Sequence, residues 1–450
     1  MPENHDHEPP KHDPYAAIRL PDYRFFAGGF ALSSTGLQML STAIGWEIYE
    51  RTSSELMLGY TGLARALPVV LLALPAGQLA DIVSRKWIVV TTQASFSILA
   101  AALAWASYTQ APLIVMYLLL ALSGVARAFN APARAALLPQ IVPSGAFTNA
   151  VAWNSGVFQF SGMLGPVIAG VIIAQWGGAW AVYACTAAMT AIFSLCATAM
   201  NPRAVVRTGA RMTLGSMLGG LGFVRREKTI LGAILIDCLG VMFGGATALL
   251  PVFAKDILHV GPVGLGALRA APFAGAVLTA VIIAHRPPFA RVGRTFLLAV
   301  CAWAVAIIAF GLSTNVWLSL FLLAFQGAVD NVSVVIRHVL VQFRTPDHLR
   351  GRVGAVNSMF IEISNELGAF ESGLVAQFLG PVVSVVTGGL ATLSVVGAIG
   401  AGIPELRKLG QLREHNDPEV VPSVHCRACG QETSEIGVEC PECGVLRAGK

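Results

Sequence analysis

The sequence predicts an all-α membrane protein: 12 transmembrane helices in two parallel six-helix repeats, plus a small C-terminal metal-binding tail. Three observations carry that prediction. Charged residues make up only 12% of the 450, against about 25% in an ordinary soluble domain. Residues 1–24 hold 8 of the 55 charges and 404–450 hold 14, leaving 33 for the 379 residues between them. So sparse a charge cannot coat a water-soluble surface of that size, which disfavours a soluble enzyme, a nucleic-acid binder and a disordered scaffold. The second observation is a series of twelve apolar runs near the ~20 residues that cross a bilayer as a helix. The third is that the last six runs align on the first six.

The elements follow in order. Residues 1–24 are polar and Pro-rich, without the apolar stretch of a cleavable signal, and are expected to remain as a disordered cytoplasmic tail. The first half, 25–200, contains runs at 25–48, 57–80, 87–108, 111–131, 147–172 and 179–200. A polar cytoplasmic linker at 201–228 precedes the second half, 229–403, with runs at 229–253, 262–284, 295–313, 316–338, 353–378 and 381–403. A linker at 404–423 leads to the tail at 424–450.

Lys and Arg fall in alternate gaps. One set holds Arg85 and Lys86, the basic linker, Arg286, Arg291 and Arg294, then Arg344, Arg350 and Arg352; the other offers only Arg51 and Lys255. The positive-inside rule therefore places both termini in the cytoplasm of a multi-pass cell-membrane protein. It also accounts for the net charge of +5 without nucleic acid.

An offset of 203 aligns Arg127 with Asp330, Arg134 with Arg337, Pro143 with Pro346, Asn154 with Asn357 and Gly165 with Gly368, and an offset of 204 aligns Arg65 with Arg269 and Pro68 with Pro272. Two six-span repeats joined by a cytoplasmic loop are transporter architecture, with a pathway between the halves. No ATP-binding loop is found, and no nucleotide cofactor is expected. Energy would come from an ion or substrate gradient.

The turn between runs two and three carries Gly77, Asp81, Ser84, Arg85 and Lys86. It resembles the cytoplasmic loop signature of the major facilitator superfamily, G-x-x-x-D-x-x-G-R-[KR], with Ser84 in place of the second glycine. Gly162, Gly165, Pro166 and Gly170 in run five are similar to the G-P-x-x-x-G antiporter motif of exporters in that superfamily. The stretches Ala128–Arg134, Pro139–Pro143, Asn149–Asn154 and Phe243–Phe253 look like its enterobactin-exporter branch, of transmembrane secretion effector type. The resemblance implies a proton-coupled exporter of a small organic molecule such as a siderophore or secondary metabolite, working by alternating access, and not an enzyme. General multidrug efflux is one alternative. A transporter-like sensor that signals through its tail is another. The resemblance further implies an inner-gate latch at Gly77, Asp81, Arg85 and Lys86.

Six carboxylates lie inside predicted spans: Glu47, Asp237, Asp330, Glu362, Glu366 and Glu371. A charge at mid-bilayer costs roughly 2.5–3.5 kcal/mol even on insertion scales, so its retention calls for a reason. Glu47 is near a helix end and is expected to be structural or solvated. Proton antiport needs a carboxylate protonated when open to one side and ionised when open to the other. The candidates are Asp237, which has no close sequence partner, Glu366 and Glu362, stacked on one helix face four residues apart, then Asp330 and Glu371. Arg65 and Arg269, at matched repeat positions, and Arg127 are candidates for a gate or an anionic-substrate contact. An ion pair between Arg127 and Asp330 across the halves is a further expectation.

The tail holds Cys426-x-x-Cys429-Gly and Cys440-x-x-Cys443-Gly. Two such knuckles resemble a zinc ribbon, in which four thiolates surround one Zn²⁺. A cytoplasmic partner of this tail is a further expectation. Cys185, Cys196, Cys238 and Cys301 sit singly in apolar runs, where small buried thiols are expected.

Overall fold

The structure, a computed structural model, describes residues 13–203, 221–286, 289, 291–410, 424–425 and 432–433. Twelve long helices occur among the described residues. In the first half they are α1 (Pro21–Thr52), α2 (Glu55–Ile82), α3 (Arg85–Tyr108), α4 (Leu113–Ile141), α5 (Ser144–Trp176) and α6 (Trp180–Ala199). In the second they are α7 (Lys228–Phe243), α8 (Gly261–Ala284), α9 (Val292–Gly311), α10 (Val316–Arg344), α11 (Asp347–Leu379) and α12 (Pro381–Gly402).

Local chemistry sets their ends. Proline opens α1, α8 and α12, where its missing N–H costs nothing. The Asn315 side chain caps α10 by accepting from the Trp317 and Leu318 amides at 2.9 and 3.1 Å. Gly177, at φ +65°, closes α5 in the left-handed region. The run predicted at 229–253 is not one helix. It breaks at Gly244 and continues as a 3-10 turn, Ala246–Leu249, and a wide turn over Phe253–Ile257. The Gly244-Gly245 pair has weak helix propensity, and Gly244 lies so close to the Trp303 ring that a Cβ would stand 2.2 Å from it.

Among the described residues, nine of these helices, and α7 together with the turns that extend it to Ile257, are long and apolar enough to cross a membrane; α1 and α11 are not among them. The reason is visible in their faces. Ser33, Ser34, Gln38 and Ser41 on α1 and Glu362 on α11 turn inward to a cavity. Large apolar side chains such as Ile98, Leu118, Leu195, Leu298 and Phe321 lie exposed on the outside of the bundle, as lipid contact requires.

Two helix pairs join the halves, α2 with α11 and α5 with α8. They are repeat counterparts of one another. Both are close crossings built on glycine: a Cβ on Gly170 would lie 2.4 Å from the Pro262 carbonyl, and one on Gly266 would lie 2.4 Å from the Pro166 carbonyl. On the other pair, a Cβ on Gly62 would lie 2.7 Å from the Glu366 carbonyl.

The cores differ between the two ends of the bundle. At the end bearing the α1–α2 turn, one buried cluster runs through both halves and includes Met39, Ile44, Leu120, Leu250, Phe253 and Leu268. At the opposite end the first half keeps its own cluster around Tyr23, Phe26 and Leu137. The second half keeps separate ones around Phe296 and Ile234.

Beyond α12, Val424–His425 and Glu432–Thr433 pair as a two-stranded antiparallel hairpin. Cys426, Cys429, Cys440 and Cys443 lie outside the described residues.

Candidate functional site

Halfway along α2, α4 and α11, four charged side chains meet across the boundary between the halves. Arg127 on α4 reaches Glu362 on α11, Nη2 to Oε2, at 2.8 Å, and its Nη1 donates to Glu366 Oε1 at 3.4 Å. Arg65 on α2 approaches the other oxygen of Glu366 at 3.6 Å. Glu362 and Glu366 share one face of α11 because they are four residues apart, so both point at the first half. The two carboxylates differ in surroundings: Glu362 and Arg127 each leave 44% of the side chain exposed, whereas Glu366 leaves 13%.

That exposure opens into a cavity of about 310 Å³. Its walls come from the first half, with Glu362 the one contribution of the second among the described residues. Hydrogen bonds fix the polar wall: Ser33 Oγ donates to Gln93 at 2.8 Å, and Asn130 Nδ2 donates to Thr92 at 2.7 Å. Phe30, Phe96 and Phe158 supply apolar surface. Arg134 stands about two turns further along α4 than Arg127 and lies over the Phe30 ring, 4.3 Å from its centroid. The mixture is what a pocket for a small organic molecule requires: mostly apolar surface with a few directed polar groups.

Several expectations change. Asp237 is not alone: Arg337 of α10, 100 residues away in sequence, forms an ion pair with it, and the Arg337 side chain is only 3% exposed. No window of sequence around Asp237 contains that partner. Arg127 does not pair with Asp330. Asp330 lines a small separate cavity with Asp237 and Ser333, between α7, α9 and α10, while α11 alone carries carboxylates up to α4. Glu47 is not solvated. It is buried, accepts from the Tyr183 hydroxyl at 2.9 Å and pairs with Arg51 at 3.4 Å, a structural role. Glu371 is half-buried further along α11, outside the network.

Arg65 and Arg269 do occupy related places, each reaching toward the opposite half. Arg269 Nη1 donates to Ser41 Oγ of α1 at 3.2 Å and packs beside Gly45. The antiporter-like motif is an interface: Gly162 faces Phe273, Gly165 faces α1 at Thr35 and Gln38, and Gly170 and Pro166 face α8. In the loop signature, Arg85 donates to the Ala136 carbonyl at 3.2 Å and Lys86 to the Met200 carbonyl at 2.6 Å. These are cations at the carboxyl ends of α4 and α6, where helix dipoles favour them. Gly77 lies in α2, and the Asp81 side chain is outside the described residues.

Two six-helix repeats, tied together by a charged network at the rim of a cavity, define a membrane transporter of the major facilitator type. The chain belongs to the transmembrane secretion effector family of that superfamily, which it matches over residues 13–427. It is 25% identical to the enterobactin exporter EntS of Citrobacter koseri over 392 residues, 87% of this chain and 92% of that one. It is also 25% identical to EntS of Shigella boydii over 381 residues, 84% and 91% of the two chains. Among solved structures, the nucleoside transporter NupG superposes with a TM-score of 0.66 at 14% identity, over 85% of this chain and 98% of that one. A D-xylose–proton symporter does so with 0.66 at 13%, over 88% and 100%. These two share the fold.

Proposed function

We propose that this protein exports a small organic molecule, a siderophore or related secondary metabolite, in exchange for protons. In this reading all twelve long helices cross the membrane, both termini are cytoplasmic, and the halves rock about the central cavity. The observation that carries the reading is the Arg65–Arg127–Glu362–Glu366 network, because it ties the two halves together through carboxylates, the kind of group that proton exchange requires.

The chemistry is as follows. With both glutamates ionised, Arg127 and Arg65 hold α11 against α2 and α4. A proton taken up by Glu362 or Glu366 removes one negative charge and loosens that hold, which favours separation of the halves; loss of the proton to the other side restores it. Substrate in the cavity competes for the same guanidinium of Arg127. One network therefore reads both the proton and the cargo, the minimum needed for exchange. With the termini cytoplasmic, the core shared by the halves lies toward the outside, so the conformation described is closed on that face. The loop signature at Asp81, Arg85 and Lys86 would latch the inner face. The tail cysteines would hold one Zn²⁺ as a structural element of a cytoplasmic module. That reading rests on their spacing.

The test is export into everted membrane vesicles with proton release recorded. Glu362→Gln, Glu366→Gln and Asp330→Asn are compared with the parent protein, and cargo is found by comparing metabolites secreted with and without the gene. Loss of proton release in at least one glutamine variant supports the assignment. Unchanged coupling in both glutamine variants removes it.

A further inference from the structure

We propose that Arg134, with Arg127 beside it, binds an anionic group of the transported molecule, in the place where the second half carries a carboxylate of its own. The proposal rests on the cavity being the transport site and names the class of cargo: an organic anion with an apolar or aromatic body.

The repeat supplies the argument. Gly124 on α4 packs against the Arg65 carbonyl and Pro68 of α2, and Gly327 on α10 packs against Pro272 of α8. Those two crossings align α4 with α10 at an offset of 203, which makes Arg134 the counterpart of Arg337. On the neighbouring helices, Thr186 Oγ1 donates to the Gly36 carbonyl at 2.8 Å and Thr392 Oγ1 to the Gly240 carbonyl at 3.1 Å. That aligns α1 with α7 at 204, or at 203 if Gly29 is matched with Gly232. The counterpart of Asp237 is then Ser33 or Ser34, a serine on either count.

In the second half, then, the arginine has its carboxylate, Arg337 with Asp237. In the first half the arginine is kept and the carboxylate is replaced by a hydroxyl that lines the cavity. Arg134 makes no ion pair among the described residues; it lies over the Phe30 ring and feels the Glu362 carboxylate only at longer range. Glu362 attracts Arg134 from a distance but makes its close contact with Arg127, and Glu366 is engaged by Arg127 and Arg65, so neither forms the ion pair that Asp237 forms with Arg337. The cavity wall therefore carries three guanidiniums and one carboxylate, Glu362, which Arg127 already holds. A cation held in a low-dielectric wall draws an anion to it. Guanidinium meets carboxylate or other oxyanions in two parallel hydrogen bonds. Phe30, Phe96 and Phe158 nearby suit an apolar body attached to that group.

The experiment uses the full-length protein in lipid nanodiscs and two probes of the same shape, 2-naphthoate and its neutral amide, 2-naphthamide, with affinities measured by equilibrium dialysis. Wild type is expected to bind the anion about tenfold more tightly, the scale of one charge-assisted contact. Arg134→Gln is expected to bring the ratio to about one while leaving the amide's affinity unchanged. Ser34→Asp, which supplies the missing carboxylate, is expected to do the same; Ser34 is chosen because Ser33 is committed to Gln93. The thermal transition of each variant confirms folding, and Arg134→Lys is expected to keep part of the preference. If wild type binds both probes equally, or if the preference survives in both Arg134→Gln and Ser34→Asp, the anion assignment is overturned and the transport reading stands. If wild type binds neither probe, both fall.

Discussion

Arg127 Nη2 and Glu362 Oε2 lie 2.8 Å apart, and they belong to opposite halves of the molecule. The contact joins the middle of α4 to the middle of α11 at the rim of the central cavity, where 44% of each side chain is exposed. A pair so accessible adds little to stability, and its effect falls on which arrangement of the halves is favoured.

For that pair, Glu362→Gln is expected to change the thermal stability of the purified protein by no more than about 1 kcal/mol, the range of exposed ion pairs. Export in vesicles is expected to fall much further than stability. The exchanged pair, Arg127→Glu with Glu362→Arg, is expected to recover part of the rate lost in Arg127→Glu alone. No recovery would mean that the two act separately.

Asp237 and Asp330 line the same small cavity, yet they are expected to respond differently. Asp237→Asn leaves the Arg337 guanidinium buried without its counter-ion, at a cost of about 3–5 kcal/mol. Asp330 forms no ion pair among the described residues, and Asp330→Asn is expected to melt close to wild type. Scanning fluorimetry of the two variants checks this. Equal melting temperatures would show that the Arg337 pair is not what holds α7 to α10.

At the α5–α8 crossing there is no room for a side chain on Gly170 or Gly266. Gly266→Leu is expected to destabilise the protein by about 1–3 kcal/mol, the usual cost of overpacking. It should also drive the halves apart at this end, so that a cysteine placed at Phe273 reacts faster with a membrane-impermeant thiol reagent added from outside. An unchanged labelling rate would rule out a gating role for this crossing.

For the tail, wild type is expected to carry one zinc per chain by elemental analysis, and Cys440→Ser to lose it, because four thiolates complete a tetrahedral site and three do not. Transport is expected to change less than metal content. Equal zinc in both proteins would remove the ribbon assignment.

Composition and periodicity alone determined that this is a membrane bundle of two repeated halves, because the bilayer imposes the length and apolarity of each helix and leaves both written locally in the chain. They also marked Glu362 and Glu366 as neighbours, since four residues make one turn. The partners of these carboxylates were decided by tertiary structure. Arg337 finds Asp237, and Arg127 finds α11 rather than Asp330, through crossings between helices far apart in sequence. The aligned arginines of the two repeats, Arg134 and Arg337, were legible from the offset. That one of them has a carboxylate and the other faces a cavity depends on whether the helix opposite contributes an aspartate or a serine, and only the packing of α1 on α4 and α7 on α10 brings those residues together.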